Sequence, residues 1–160
     1  MDIYEYAMQM EKDGENFYRA LAEKTGNSGI QNILIKLADA EVKHYKIFQA
    51  MKRNEEVEVT DTAILSEVRN IFVQMKDEQS FSVDVSQIAL YKKAQDIETM
   101  TRDFYLEKAA EMKDPSQKEI FLKVAEEEKK HYFILENIIS FVSQPESWLE
   151  NPEWYHLEEY

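Results

Sequence analysis

The sequence predicts an all-α protein, a four-helix bundle made of two helical hairpins joined by a long crossover that carries a short helix. Three observations predict it. The composition is 44% hydrophobic and 32% charged with only three Gly and three Pro, which suits long helices rather than a turn-rich β fold. Four long segments carry apolar residues at helical spacing, and the breaks between them run short, long, short. The second hairpin repeats the first: an offset of 87 residues aligns Tyr4 with Tyr91, Ala7 with Ala94, Glu11 with Glu98, Phe17 with Phe104 and Tyr18 with Tyr105. The same offset, without a gap, aligns Ala38 with Ala125, Glu41 with Glu128, His44 with His131 and Tyr45 with Tyr132.

The first helix is set by Ile3, Ala7, Met10, Phe17, Leu21 and Ala22 and stops at the TGNSG cluster, residues 25 to 29. Ser28 with Gln31 has the form of a capping box for the second helix, whose period runs from Ile30 through Leu37 and Phe48 to about Arg53. Residues 54 to 61 are polar and non-periodic. Ile64, Leu65, Val68, Ile71, Phe72 and Met75 then predict the short amphipathic helix of the crossover, which breaks again near residues 77 to 84. The third bundle helix carries Ile88, Tyr91, Ala94, Ile97, Tyr105 and Ala109. The fourth starts at an Asp114 cap followed by Pro115 and fades near Ser143. This divides the chain into a bundle, residues 1 to 143, and a tail, residues 144 to 160, expected to be irregular and to pack its aromatics on the bundle or on a partner subunit. Six methionines, Met8, Met10, Met51, Met75, Met100 and Met112, are assigned to packing.

Composition also narrows function. Cysteine is absent, which excludes a disulfide framework, thiolate-bound zinc and a thiol nucleophile; any metal must be held by Glu, Asp and His. No apolar run approaches the roughly 18 residues needed to span a bilayer, and the first residues lack the pattern of a signal peptide. A cytoplasmic location is the expectation. A formal charge of −13 repels phosphate backbones and anionic lipid, so neither nucleic acid nor membrane is an expected partner.

Most of the acidic residues form a solvated surface, but those on apolar helix faces require another account. Residues three apart on a helix share a face, so Glu41 with His44, and Glu128 with His131, each offer an oxygen and a nitrogen to one ion. Glu11 and Glu98 complete one Glu from each of two helices plus a Glu-x-x-His from each of the others, a set suited to two iron or manganese ions. Four carboxylates in a bundle core would each cost several kcal/mol to desolvate, and with no Lys or Arg on those stripes, two divalent cations are the natural balance. Mixed imidazole and carboxylate donors favour Fe or Mn and permit Zn. Glu15, one turn beyond Glu11, and Glu127, four residues before His131, share compatible faces, but the repeat selects Glu11 and Glu128. Tyr18 and Tyr105 fall two turns after Glu11 and Glu98, placed either to pack in the core, to hydrogen-bond a carboxylate or to act as redox-active phenols. In the tail Glu153 and His156 have Glu-x-x-His spacing too, but the missing period and Pro152 assign them to the surface.

The segments AMQMEKDGENFY and AQDIETMTRDFY, with LADAEVKHY and VAEEEKKHY, resemble the rubrerythrin branch of the ferritin-like superfamily over residues 1 to about 143. The resemblance implies a ferritin-like bundle with a di-iron site: Glu41 and Glu128 bridging two irons, Glu11 and Glu98 as terminal ligands, His44 and His131 completing the set. It implies reduction of hydrogen peroxide, with dioxygen the other candidate oxidant, in a protein that is commonly a homodimer. Rubrerythrins usually draw electrons from a rubredoxin-like domain whose iron is held by cysteine thiolates. No cysteines occur in this sequence, so an external donor such as a rubredoxin is implied. Rubrerythrins also carry a further Glu three residues after the third-helix ligand, where this chain has Thr101. Two other functional classes use the same donor set: binding and oxidation of ferrous iron for storage or transfer, and a metal-stabilised structural bundle without turnover.

Overall fold

The structure, a computed structural model, describes residues 2–59, 62–79, 82–150 and 152. Among them every regular element is helical: α1 (Ile3–Lys24), α2 (Ser28–Lys52), α3 (Ile64–Asp77), a single 3₁₀ turn (Val85–Gln87), α4 (Ile88–Glu111), α5 (Pro115–Ser143) and α6 (Pro145–Glu150). Packing follows the repeat, with α1 lying along α2 and α4 along α5. The four long helices are those the periodicity predicts, and α3 is the short crossover helix. No described helix is long and apolar enough to cross a membrane.

Helix starts follow capping chemistry. The Asp2 carboxylate accepts from the Glu5 N–H at 2.8 Å, and Asp114 accepts from the N–H of Ser116 at 2.9 Å ahead of Pro115 in the first helical position. The predicted Ser28 cap is displaced by one residue. Ser28 is already helical, while Asn27 holds extended backbone angles and its side chain accepts from Ile30 N–H at 3.0 Å. Gln31 instead reaches back to the Ala22 carbonyl at 3.1 Å, tying the start of α2 to the end of α1.

The core is divided in a way that frames the function. One apolar cluster takes Tyr18 and Leu21 from α1, Leu34 and Leu37 from α2, Tyr91 and Ala94 from α4, and Ile134 and Leu135 from α5. A second takes Ala7, Phe48, Tyr105 and Phe121 from the same four helices. Glu11, Glu41, Glu98 and Glu128 fall in sequence between the two contributions of their helices. A polar layer is thereby sealed at both ends by hydrocarbon, with every candidate donor buried.

The first cluster is closed by the crossover and the tail. Phe72 of α3 packs its ring 4.7 Å from Trp148 and 5.8 Å from Phe141. The tail is thus not irregular throughout, because Pro145–Glu150 forms a helix of six residues, too short to register as a period, and buries Trp148 and Leu149 on the bundle. Glu153 and His156 lie outside the described residues. Of the methionines, Met51 and Met75 are buried, but Met100 is 70% exposed, because its side of α4 is turned to solvent. Phe72→Ala is expected to cost about 3–5 kcal/mol, because Phe72 is fully buried and joins α3 to α6. Urea unfolding checks this, and a loss below about 1 kcal/mol would mean that the α3–α6 cap is not part of the cooperative core.

Candidate metal centre

Glu11 and Glu98 come from α1 and α4, and the two Glu-x-x-His pairs from α2 and α5. The fold brings all six together. Glu11, Glu41, His44 and Glu128 present ligand atoms all within 4.8 Å of one another, and so do Glu41, Glu98, Glu128 and His131. Glu41 and Glu128 belong to both groups and lie where one carboxylate can serve two ions. His44 Nδ1 lies 2.8 Å from Glu128 Oε1 and 3.5 Å from Glu11 Oε2; His131 Nδ1 lies 3.1 Å from Glu41 Oε1 and 3.4 Å from Glu98 Oε1. The imidazoles stack at 5.8 Å between centroids, 12° from parallel. Each His faces a carboxylate of the other hairpin's Glu-x-x-His helix, so neither hairpin completes its half alone.

The tyrosines strengthen that exchange. Tyr105 Oη donates to Glu11 Oε1 at 2.6 Å, and Tyr18 donates to Glu98 Oε1, each phenol reaching across to the other hairpin's carboxylate. Burial, then the charges of those carboxylates, pushes both phenols well above the ordinary tyrosine range, so they remain proton donors.

Protonation of the carboxylates follows a pattern. Burial acts to raise all four. On Glu41 and Glu128 the negative charge of their neighbours, Glu11 first, adds to it, and both lie well above the usual carboxylate range. On Glu11 and Glu98 burial is outweighed. A hydrogen bond from Glu41, the charge of His44 and the Tyr105 phenol hold Glu11 at about 2, and Glu128, His131 and Tyr18 hold Glu98 low in the same way. Burial opposes charge on His44 too, but Glu11 raises it overall. Glu41 and Glu128 are thus the pair that favours the protonated form, and Glu11 and Glu98 the pair that favours the ionised one.

The donor set fits a metal pair. Buried atoms Glu11 Oε2 and Glu98 Oε2 have no hydrogen-bond partner among the described residues, an arrangement that is costly unless a cation satisfies it. Four carboxylates and two imidazoles are hard and borderline donors of the kind iron and manganese take.

The alternative ligands face elsewhere. Glu15 accepts from Arg19 Nε at 2.7 Å and from Lys12 Nζ at 3.1 Å on the outer side of α1. Glu127 is buried but turns away, accepting from Thr62 Oγ1 at 2.8 Å and from Lys130 Nζ at 3.2 Å. Lys130, 5% exposed, corrects the expectation that no basic residue shares the core stripes; its charge is matched by Glu127 rather than by the six donors.

Sequence reasoning passed over Gly14. A Cβ there would stand 3.2 Å from Glu41 Oε2, so the missing side chain leaves room for that carboxylate. The signal was available, since a glycine inside a helix is unfavourable and this one lies one turn after Glu11. Gly14→Val is expected to keep the helical content and lower metal affinity about tenfold or more, as displaced support of a ligand does. Titration with zinc at equilibrium checks it, and unchanged affinity would show that Glu41 does not need the space.

The model of the rubrerythrin family matches residues 2–140. The chain belongs to the rubrerythrin family. No curated protein and no solved structure matches it. Family membership implies a di-iron carboxylate centre, and among the described residues of this rubrerythrin-family chain the buried Glu/His layer has donors that could hold one.

Proposed function

We propose that this chain is a non-haem di-iron oxidoreductase that reduces hydrogen peroxide or dioxygen with electrons from an external donor such as a rubredoxin, acting as a cytoplasmic homodimer. The observation that carries this reading is the pair of overlapping four-donor groups sharing Glu41 and Glu128 in a layer sealed by two apolar clusters. Glu11, Glu41 and His44 would hold one ion with Glu128, and Glu98, Glu128 and His131 the other with Glu41. When bound, a ferrous pair supplies two electrons, which with two protons convert one hydrogen peroxide to two waters.

The chain's own residues prepare that chemistry. Tyr18 and Tyr105 fix the rotamers of Glu98 and Glu11 through their phenol hydrogen bonds. Hydrocarbon on both sides excludes bulk water from the layer and strengthens every electrostatic contact inside it.

Anaerobic ferrous loading followed by peroxide tests the proposal on the parent and on Glu41→Ala/His131→Ala. About two irons per chain, oxidised rapidly by peroxide and absent from the double variant, are expected. Failure to take two ions would overturn the reading. Tight zinc binding with no oxidation of bound iron would replace it by a metal-stabilised structural bundle.

A further inference from the structure

The inner donors obey the repeat, but their surroundings do not. A cavity of about 300 Å³ lies between α2, the crossover and α5, bounded by Ala40, His44, Glu58, Val59, Thr62 and Glu127. The 87-residue offset pairs Ala40 with Glu127 and Lys43 with Lys130. On α2 these positions hold a methyl group and a solvent-exposed lysine; on α5 they hold a buried ion pair clasped to Thr62. One half of a symmetric site therefore has space outside its histidine, and the corresponding positions of the other half are filled.

We propose that metal ions reach the centre from the His44 side through this cavity, with Ala40 keeping it open and Glu127 as the buried carboxylate that an ion passes before His44. The proposal rests on the reading that the six donors bind two ions. A divalent ion shedding water needs oxygen or nitrogen donors along its path, because an unpaired charge in an apolar passage is strongly disfavoured. The cavity supplies them in Glu58 at the exposed side, Glu127 within and His44 at the site. Lys43 and Lys46 also line it, but both are solvent-exposed and screened by water, whereas Glu127 is buried and held in place by Thr62 and Lys130. The larger groove between α1 and α4, about 730 Å³, also carries carboxylates, Asp13, Asp103 and Glu107, beside Met10, Phe17, Ile97 and Met100, but none of the six donors lines it, whereas His44 lines the cavity against the crossover.

Stopped-flow uptake of Co(II) by the metal-free protein, followed by its visible absorption, tests the route, with equilibrium stoichiometry measured separately. The parent, Ala40→Leu, Glu127→Gln and Met100→Trp are all expected to bind about two ions at equilibrium. Glu127→Gln removes both the passing carboxylate and the negative charge that balances the buried Lys130 ammonium, and is expected to slow uptake about tenfold, the lower end of electrostatic effects on association. Ala40→Leu, which fills the cavity, slows it further, and Met100→Trp, which narrows the other groove, leaves it unchanged. Parental rates in both Ala40→Leu and Glu127→Gln, or slowing only in Met100→Trp, would overturn the route. A parent that binds no Co(II) would instead overturn the two-metal reading on which it rests.

Discussion

Replacing Glu41 and Glu128 together by glutamine is expected to abolish two-ion binding while leaving the metal-free protein at least as stable as the parent at neutral pH. Burial and then the charges of their neighbours push both carboxyls well above the carboxylate range, which favours their protonated form in the metal-free protein. A glutamine amide then replaces a neutral carboxylic acid of nearly the same shape, removing the tendency to ionise in a dry layer. The two anionic donors common to both ligand groups are gone, however. Affinity should fall by more than the roughly 10–100-fold typical of losing an outer hydrogen-bond partner. Zinc or ferrous titration with thermal unfolding of the metal-free form checks both halves. Near-parental affinity, or a metal-free variant melting well below the parent, would contradict the protonation pattern.

The second large effect is a reversal of the pH dependence of stability on metal loading. Glu41 and Glu128 are raised in the folded protein above the ordinary value of 4.5, so the folded state binds more protons than the unfolded state above that pH. Their stabilising contribution is complete below the unfolded value and is lost as pH rises through the folded values. His44, also raised, acts in the same direction above its own ordinary value of 6.5. Glu11 and Glu98, both lowered, contribute with the opposite sign. Their stabilisation is present above 4.5 and lost as pH falls toward about 2 in the case of Glu11. The metal-free protein should therefore be most stable in mildly acid solution and weaken as pH rises above 4.5 through the raised folded values of Glu41 and Glu128 and above 6.5 through that of His44. Metal binding requires deprotonated carboxylates and neutral imidazole, so its contribution grows as pH rises. At free metal about 100-fold above the dissociation constant, stabilisation is about 2.7 kcal/mol, or roughly 5–10 °C in melting temperature. Calorimetry of chelated and loaded protein across that range checks it. A metal-free melting temperature that climbs toward alkaline pH would refute the argument.

Much of the site was legible because duplication supplies an internal control. A single Glu-x-x-His in an acidic chain says little, but two copies in register with Glu11 and Glu98 specify which face of each helix turns inward. The end of α2 and the junction of α4 with α5 were legible for a simpler reason: the polar run after Arg53 and the Lys113-Asp114-Pro115 break are local signals. Contacts between hairpins were not legible. That Tyr18 serves Glu98 and Tyr105 serves Glu11 depends on how the hairpins face one another, which no helical period encodes. The Glu127–Lys130–Thr62 cluster was missed for a related reason. Glu127 and Lys130 share a face with the candidate donors of α5 within the usual tolerance of a helical projection, and only the position of the crossover separates them. Asn27 against Ser28 is a one-residue ambiguity between two good capping residues, and only backbone angles resolve it.

The crossed tyrosines and crossed histidine contacts bear on how such a chain could have arisen. A lone hairpin carries one carboxylate helix, one Glu-x-x-His helix and one phenol, and each of these finds its partner in the opposite hairpin. A free hairpin would thus have to self-associate to assemble any site, and occupancy would depend on its concentration. Fusion through the crossover converts that encounter into an intramolecular one, with an effective concentration set by the reach of that connection rather than by the amount of protein. It also frees the two copies to diverge, which is how one of them could gain the buried Glu127–Lys130 pair while the other kept Ala40 and an exposed Lys43.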